Sequence, residues 1–448
     1  MPRPLLSARV WPPALVAARG LLRLLLPVAA LVILWLSRTA LLTSIRSPVL
    51  WALFFGTALG IVVERRGPWP KGRLHRVLVV LWALGLAGLV AQEVGFLRTR
   101  ARVLAAPSAD LAAVGEHLVV GYRDLDELRG LVERDAVAGV YVSRRNMIER
   151  GYAGVQGDLA ELQAIRRGRG RPPLLVAADQ EGGIVSHLSP PLTRLPALGA
   201  IAADAGIAGP EAAIRGAACV HGRELRALGV TVDFAPVVDL RVDVDRGFDH
   251  YSRIQDRAID RDPALVARVA DWYCAGLRAH GVACTLKHFP GLGRVVEDTH
   301  FFAGHLREPR DRLEAEDLAP FRALAAEGEA TTLIMLSHTL VDAFDPETPA
   351  SHSDAIVRGL LRDGWGHDGV LITDDLSMFP ISLGPGGVGG ASERALAAGV
   401  DLLLISFDPD LYYEAVDHLL ERRATLDAGT LARSVARLRA LRAALGGR

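Results

Sequence analysis

The sequence predicts a (β/α)8 barrel standing behind an N-terminal membrane region. Three observations carry this. From residue 107 onward, eight short apolar runs alternate with helix-patterned stretches over about 340 residues. Most of those runs are apolar throughout rather than alternating, as expected of parallel strands buried on both faces. Ahead of them, three apolar stretches lie in a segment rich in arginine and nearly devoid of acid.

The apolar stretches come first in the chain. Leu21–Leu36 is interrupted only by Arg23, near an end where a long side chain can reach the interface. Val49–Val63 is the second. Val77–Leu97 is the third, broken late by Gln92 and Glu93. A helix needs roughly 20 residues to cross the hydrocarbon core, with about 17 as a lower limit. The third run meets that length, and the first two borrow flanking residues. A cleaved signal peptide would account for one run of the three. Arg3, Arg9 and Arg19 precede the first run, and Arg65, Arg66, Lys71, Arg73 and Arg76 separate the second and third. On the other side stand Arg38 and Arg46, with Arg98, Arg100 and Arg102. Eight basic residues against five put the amino terminus in the cytoplasm. The expectation is a multi-pass cell-membrane protein, with residues 1–104 as a three-helix anchor and residues 105–448 outside.

The overall net charge of zero hides two unlike parts. Residues 1–106 hold 14 Lys and Arg against 2 Asp and Glu, and the remainder holds 37 against 49. An acidic remainder lacks the basic face that a nucleic-acid partner requires. Cys219, Cys274 and Cys284 form neither a disulfide framework nor a metal pattern, and read as small buried hydrophobes.

The candidate strands are Leu118–Tyr122, Gly139–Ser143, Leu174–Ala178, Thr231–Pro236, Val282–Leu286, Thr331–Leu336, Val370–Thr373 and Asp401–Ile405. Helical patterns between them include Asp124–Arg134, Pro210–Leu228, Pro263–His280 and Asp311–Ala326, several opening on Asp or Pro. A doubly wound open sheet is the competing architecture. Long loops follow the third, fourth and fifth strands, the place where a barrel builds its active site. Gly384–Gly390 lacks the lysine of a phosphate loop and reads as a flexible connector.

Polar groups gather where strands end. Asp179-Gln-Glu-Gly-Gly183 follows the third strand, Lys287-His-Phe-Pro-Gly291 the fifth, and Asp374-Asp375 the seventh, with Asp298-Thr-His300 in the loop after the fifth. Charges recurring at one end of several strands suggest a shared pocket, because each is costly to bury alone. Each also has a plainer reading. Asp374 is either a helix cap or a carboxylate nucleophile. His300 is either a surface histidine or an imidazole oriented by Asp298. Lys287-His288 is either a structural ion-pair site or a donor to sugar hydroxyls. Asp179 either binds the amides of the Gly182-Gly183 turn or accepts from two adjacent substrate hydroxyls. With no His-Glu-x-x-His helix and no Cys/His cluster, no metal or cofactor is expected.

Taken together, over residues 108–408, these segments resemble glycoside hydrolase family 3, in particular its bacterial β-N-acetylglucosaminidase branch. The matching stretches are Asp179-Gln-Glu-Gly-Gly183, Asp233-Phe-Ala-Pro-Val-Val-Asp239, Lys287-His-Phe-Pro-Gly-Leu-Gly293 with Asp298-Thr-His300, and Ile372-Thr-Asp-Asp-Leu-Ser-Met378. The resemblance implies a (β/α)8 barrel and a retaining exo-β-N-acetylglucosaminidase that takes terminal β-linked N-acetylhexosamine from wall muropeptides or chitin-like oligosaccharides. It implies Asp374 as nucleophile, His300 as acid/base with Asp298 as dyad partner, and Asp179, Arg257, Lys287 and His288 as sugar-binding residues. His187, like Ile184, stands where the family commonly has arginine, and Leu292 where it has histidine. Those departures leave open a glycan-binding barrel without turnover. A neutral imidazole beside the nucleophile leaves open phosphorolysis, and the family leaves open a β-glucosidase.

Overall fold

The computed structural model describes residues 13–204, 209–245, 249 and 251–446. The chain divides into two compact units, Met1–Ala101 and Arg102–Arg448.

The first unit is helical. Its long helices are Pro13–Leu36, Arg46–Arg66 and Arg73–Ala105, the last running on past the unit. Two apolar helices, Leu41–Arg66 and Arg73–Ala105, have 26 and 33 residues and are long enough to cross a membrane. Three spans were expected; the first run, Leu21–Leu36, lies in the 24-residue helix Pro13–Leu36, whose described apolar part, Gly20–Leu36, is shorter than the other two. Within the unit, Arg23 pairs with Glu64 and Arg38 with Glu93. Large apolar side chains such as Trp35, Trp51, Phe55, Leu59 and Leu84 face outward. Arg3 and Arg9, which entered the charge count, lie outside the described residues.

The second unit is a closed parallel barrel. Its strands are β1 Leu118–Gly121, β2 Gly139–Tyr141, β3 Leu175–Ala178, β4 Val232–Asp233, β5 Ala283–Phe289, β6 Thr332–Leu336, β7 Leu371–Asp375 and β8 Leu402–Ile405. Each pairs with the next in sequence, and β1 closes on β8 with Leu118 opposite Leu403. All eight expected strands are present, and the open sheet is excluded by that closure. The physical cause is visible in the burial: the barrel strands are buried along almost their whole length, so each needs covering on both faces. One set of side chains alternates along the strands and forms the interior: Val119, Leu175, Ala177, Val232, Phe234, Leu333, Met335, Ile372, Leu402 and Leu404. The C-terminal helix Ala428–Gly446 adds Leu438, Leu441 and Leu445 to that cluster. It closes the end where strands begin, with Arg437 bonded to Asp401 just ahead of β8.

Helix starts follow local chemistry. Asp124 accepts from the Asp126 and Glu127 amides ahead of Leu125–Glu133, and Asp262 caps Pro263–Arg278 with proline in the first turn. The expected helix over 311–326 is two, Arg310–Ala315 and Ala319–Ala325, with Pro320 in the first turn of the second. The glycine-rich segment 384–390 is only partly a connector. Gly386 and Gly387 adopt φ of 80° and 55°, and a helix, Gly387–Ala398, starts there.

The cysteine expectation is corrected. Cys274 and Cys284 form a disulfide with Cα atoms 5.3 Å apart, and Cys219 is free and exposed. A tight turn folds helix Pro263–Arg278 back along β5, so two cysteines 10 apart in sequence face each other. Spacing alone does not reveal that juxtaposition.

Candidate active site

The C-terminal ends of β2 to β7 converge on one mouth, where the charges predicted from sequence meet. β5 delivers two of them directly. Lys287 and His288 lie within the strand, both buried. Lys287 Nζ donates to Asp179, just beyond β3, and reaches Glu181 Oε1 at 2.7 Å. Glu181 also receives a fork from Arg257, Nε to Oε2 at 2.9 Å and Nη2 to Oε1 at 2.8 Å. Arg257 comes from the short helix Ile254–Arg257 in the loop after β4, and its Nη2 lies 3.3 Å from His288 Nε2. His288 Nδ1 is held by Asp239 Oδ2 at 2.7 Å, while the other Asp239 oxygen takes the Leu292 amide at 2.7 Å. Three acids, two cations and a histidine are thereby locked in a fixed array.

Electrostatics follow from those pairings. Burial pushes Asp179 upward, but Lys287, His187 and the Tyr141 hydroxyl outweigh it and hold the carboxyl well below its usual range. Glu181 is likewise held low against burial by Arg257 and Lys287, and Asp239 by His288. Lys287 is raised in spite of burial by Asp179 and Glu181, so it stays charged. Asp233, at the end of β4, goes the other way. Burial dominates and raises it well above the usual carboxylate range while it accepts from the Gln180 amide and lies 3.1 Å from the Tyr273 hydroxyl.

Asp179 does not bind the Gly182-Gly183 turn. The Gly183 amide donates instead to Leu195 O, and Asp179 Oδ2 accepts from the Tyr141 hydroxyl at 2.7 Å. His187 is joined to the same group, with Nδ1 2.9 Å from the Tyr141 oxygen. Burial lowers its pKa.

The seventh strand distinguishes two adjacent acids. Asp375 is saturated: its oxygens accept from the Ser377 and Ser406 amides and hydroxyls and from the Phe407 amide. It ties the end of β7 to the loop after β8. Asp374 accepts the amide of Asp375 at 2.8 Å. It is no helix cap, because the next helix is Phe379–Ser382 and its cap position is Met378. Burial pushes Asp374 up, but His288, His338, the Asp375 amide and His300 together bring it below its ordinary value. The carboxylate is thus ionised, partly exposed and short of hydrogen-bond donors.

Asp298 and His300 arrive on the loop after β5. Asp298 is fully buried; its Oδ1 takes His300 Nδ1 at 2.9 Å and its Oδ2 takes the Tyr251 amide at 3.0 Å. Against burial, those donors hold its carboxyl low. The ionised acceptor fixes the Nδ1–H tautomer and turns Nε2 outward. The Phe379 amide donates to His300 O at 3.1 Å, and Phe301 packs edge-on against Phe379 at 5.6 Å. The histidine loop is therefore fastened to the segment just after Asp374, at the same mouth.

Glu181, Asp239, Tyr141 and His338 were not singled out from sequence. Glu181 and Asp239 lie inside the recognised motifs, which was the available signal. Tyr141 and His338 carry none. His338 follows β6 and lies 3.0 Å from the Asp375 carbonyl through Nε2 and 2.8 Å from the Ser351 hydroxyl through Nδ1. Burial lowers its pKa, which suits a neutral ring. Among the described residues no cluster of His, Cys, Asp and Glu is arranged to hold a metal ion.

Comparison with known proteins bears on this mouth. The model of the glycosyl hydrolase family 3 N-terminal domain matches residues 107–441. A protein from Xylella fastidiosa named beta-hexosaminidase is 39% identical over 300 residues, covering 66% of this chain and 84% of its own. One of the same name from Xanthomonas oryzae is 38% identical over 300 residues, with the same coverage. Among solved structures, a family 3 β-N-acetylglucosaminidase from Paenibacillus aligns with TM-score 0.67 and 34% identity over 75% of this chain and 62% of that one. A family 3 glycosyl hydrolase from Mycobacterium smegmatis aligns with TM-score 0.64 and 33% identity over 76% of this chain and 98% of that one. Because a family model spans the whole barrel and curated relatives match it along most of their length, this chain belongs to glycosyl hydrolase family 3 and is a glycoside hydrolase.

Proposed function

We propose that the chain is a membrane-anchored, exo-acting, retaining β-N-acetylglucosaminidase. The observation that carries this reading is the pairing of an ionised, under-coordinated Asp374 with an Asp298-held His300 at one barrel mouth. Asp374 attacks the anomeric carbon of a terminal β-linked N-acetylhexosamine and forms a glycosyl ester. His300 Nε2, protonated at that stage, gives its proton to the departing oxygen. The neutral ring then takes a proton from water, which attacks the same carbon and releases the sugar with its configuration kept. Asp179, Lys287, Arg257 and His288 hold the sugar hydroxyls, while Glu181 and Asp239 fix the donors. His187 supplies a further polar edge beside Asp179. The names of the relatives, beta-hexosaminidase and β-N-acetylglucosaminidase, support N-acetylhexosamine as the glycone.

Lys287 is neutralised by Asp179 and Glu181, and Arg257 by Glu181. A phosphate nucleophile would have to displace those carboxylates, so water is the favoured acceptor over phosphorolysis. For location, the outward apolar side chains of the N-terminal helices suit lipid, and three crossings read with the Lys and Arg balance of the connecting loops favour a barrel outside. The Cys274–Cys284 disulfide suits an oxidising, extracytoplasmic compartment. Wall muropeptides and chitin-like oligosaccharides are the glycans such a site would meet.

The test uses the full chain in detergent, offered aryl β-N-acetylglucosaminide, glucoside and xyloside, each with and without phosphate. The N-acetyl substrate should be preferred, the first product should be the β-anomer, and phosphate should yield no sugar phosphate. Preference for the glucoside, an α-anomeric product, or sugar phosphate each rejects the corresponding part of the reading. Protease added to intact spheroplasts should cut the barrel; full protection would put it inside.

A further inference from the structure

Beyond residue 105 and among the described residues, the large apolar side chains left exposed are Ile148, Tyr251, Val296, Phe302, Leu383 and Phe407. Five of them lie in segments that follow the C-terminal ends of barrel strands: Tyr251 after β4, Val296 and Phe302 after β5, Leu383 after β7 and Phe407 after β8. The sixth, Ile148, lies on the outer helix Arg144–Gly168. Exposed apolar groups scattered by chance would decorate the outer helices and the opposite end more evenly. Their concentration at the catalytic mouth marks a surface that meets a ligand.

Tyr251 is the best placed of them. It is 61% exposed, yet its ring is fixed. Phe301 packs against it with centroids 5.2 Å apart at 69°, and Phe301 is itself seated on Phe379. The Tyr251 ring centroid lies 6.0 Å from that of His300. Its backbone amide, not its side chain, donates to Asp298. With Nδ1 of His300 committed to Asp298, the leaving oxygen must approach Nε2, so the departing group lies alongside an aromatic face.

We propose that the Tyr251 ring is the platform of a leaving-side subsite that binds a pyranose ring. The apolar C–H face of a sugar stacks on the aromatic face, and the phenol hydroxyl remains available to sugar hydroxyls. This inference rests on the glycosidase reading given above and deepens it by assigning specificity for a carbohydrate, rather than any small group, on the leaving side.

The experiment compares two substrates of the full chain in detergent. N,N′-diacetylchitobiose places a sugar on the leaving side, and β-N-acetylglucosaminyl azide places none. Tyr251→Ala should lower kcat/KM for the disaccharide about tenfold more than for the azide. Tyr251→Phe and Tyr251→Trp should restore the wild-type ratio, because the ring and not the hydroxyl carries the stacking. Equal losses on both substrates would make Tyr251 a support of the His300 loop and overturn the subsite, and so would no loss on either. The substitution spares the amide that Asp298 uses, so a change in ratio is not a by-product of losing that bond. If the wild type turns over neither substrate, the glycosidase reading falls and takes the subsite with it. If it turns over both and the ratio does not move, the subsite alone fails.

Discussion

Buried Asp–Arg networks occupy both ends of this barrel, and they differ in one respect. At the floor, Asp401 sits just ahead of β8 with no exposed surface. Its Oδ1 accepts from Arg437 Nε at 2.9 Å, and its Oδ2 from Arg362 Nη2 and the Leu371 amide at 2.7 and 2.8 Å. Arg362 also donates to the carbonyls of His367, Gly369 and Gly399, its Nε alone lacking a partner. At the mouth, Asp179, Glu181, Lys287 and Arg257 are as tightly bound to one another, but the array ends on groups with unused capacity. Asp374 takes an amide, and His300 turns its Nε2 to solvent. Burial of charge therefore does not mark the active end. At the candidate active end it is an incompletely satisfied carboxylate that stands out, because a saturated one has no lone pair to give a substrate. The same contrast holds between neighbours: Asp375 is saturated and Asp374 is not.

Four substitutions would break or sharpen that contrast. Asp374→Asn, which keeps the shape and the amide contact, should cut hydrolysis of an aryl β-N-acetylglucosaminide by at least about 10³-fold with thermal unfolding unchanged. Activity near wild type would remove Asp374 from the mechanism. His300→Ala should slow substrates with poor leaving groups by about 10²–10³-fold and activated aryl substrates much less. Identical losses across leaving groups would speak against proton donation. The floor should behave in reverse. Asp401→Asn should cost about 3–5 kcal/mol by denaturant unfolding, while kcat per folded molecule stays at the wild-type value. A large fall in kcat with stability intact would erase the distinction between the ends.

The smallest effect concerns acid. Asp179 and Glu181 have folded values below their ordinary ones, so their contribution to stability is present above about pH 4 and fades as pH falls through the folded values. Lys287→Met removes a cation that holds both down, so their folded values rise and acid unfolding should begin at higher pH than in wild type. Circular dichroism along a pH titration reads this directly. Coincident midpoints would show that Arg257, Tyr141 and His187 suffice. Asp233 acts with the opposite sign: its contribution is present below the unfolded carboxylate value and is lost as pH rises from there through its raised folded value.

Much of the site was legible because its motifs are local. Lys287 and His288 are consecutive, Asp298 and His300 are two apart, and Asp374 ends a readable strand. The eight strands were legible because double-sided burial writes continuous apolar runs. The helix over 311–326 was misread because its amphipathic pattern continues across the break that Pro320 permits. The glycine-rich segment was misread because glycine content predicts loops, whereas here Gly386 and Gly387 supply the positive φ at the entrance of a helix.

The sequence by itself determined the order of strands and helices and the short motifs whose acids and bases gather at the mouth, because these follow from hydrophobic period and local spacing. Only the tertiary structure decided between the closed barrel and an open sheet, which of Asp374 and Asp375 keeps unused hydrogen-bonding capacity, which cysteines pair and which aromatic ring flanks His300. Those outcomes depend on partners far apart in the chain: Asp375 is saturated by Ser406, 31 residues away, Glu181 meets Arg257 across 76, and Asp179 meets Lys287 across 108. Whether a polar group is satisfied is a property of the neighbours that folding brings to it, and no window of sequence contains them.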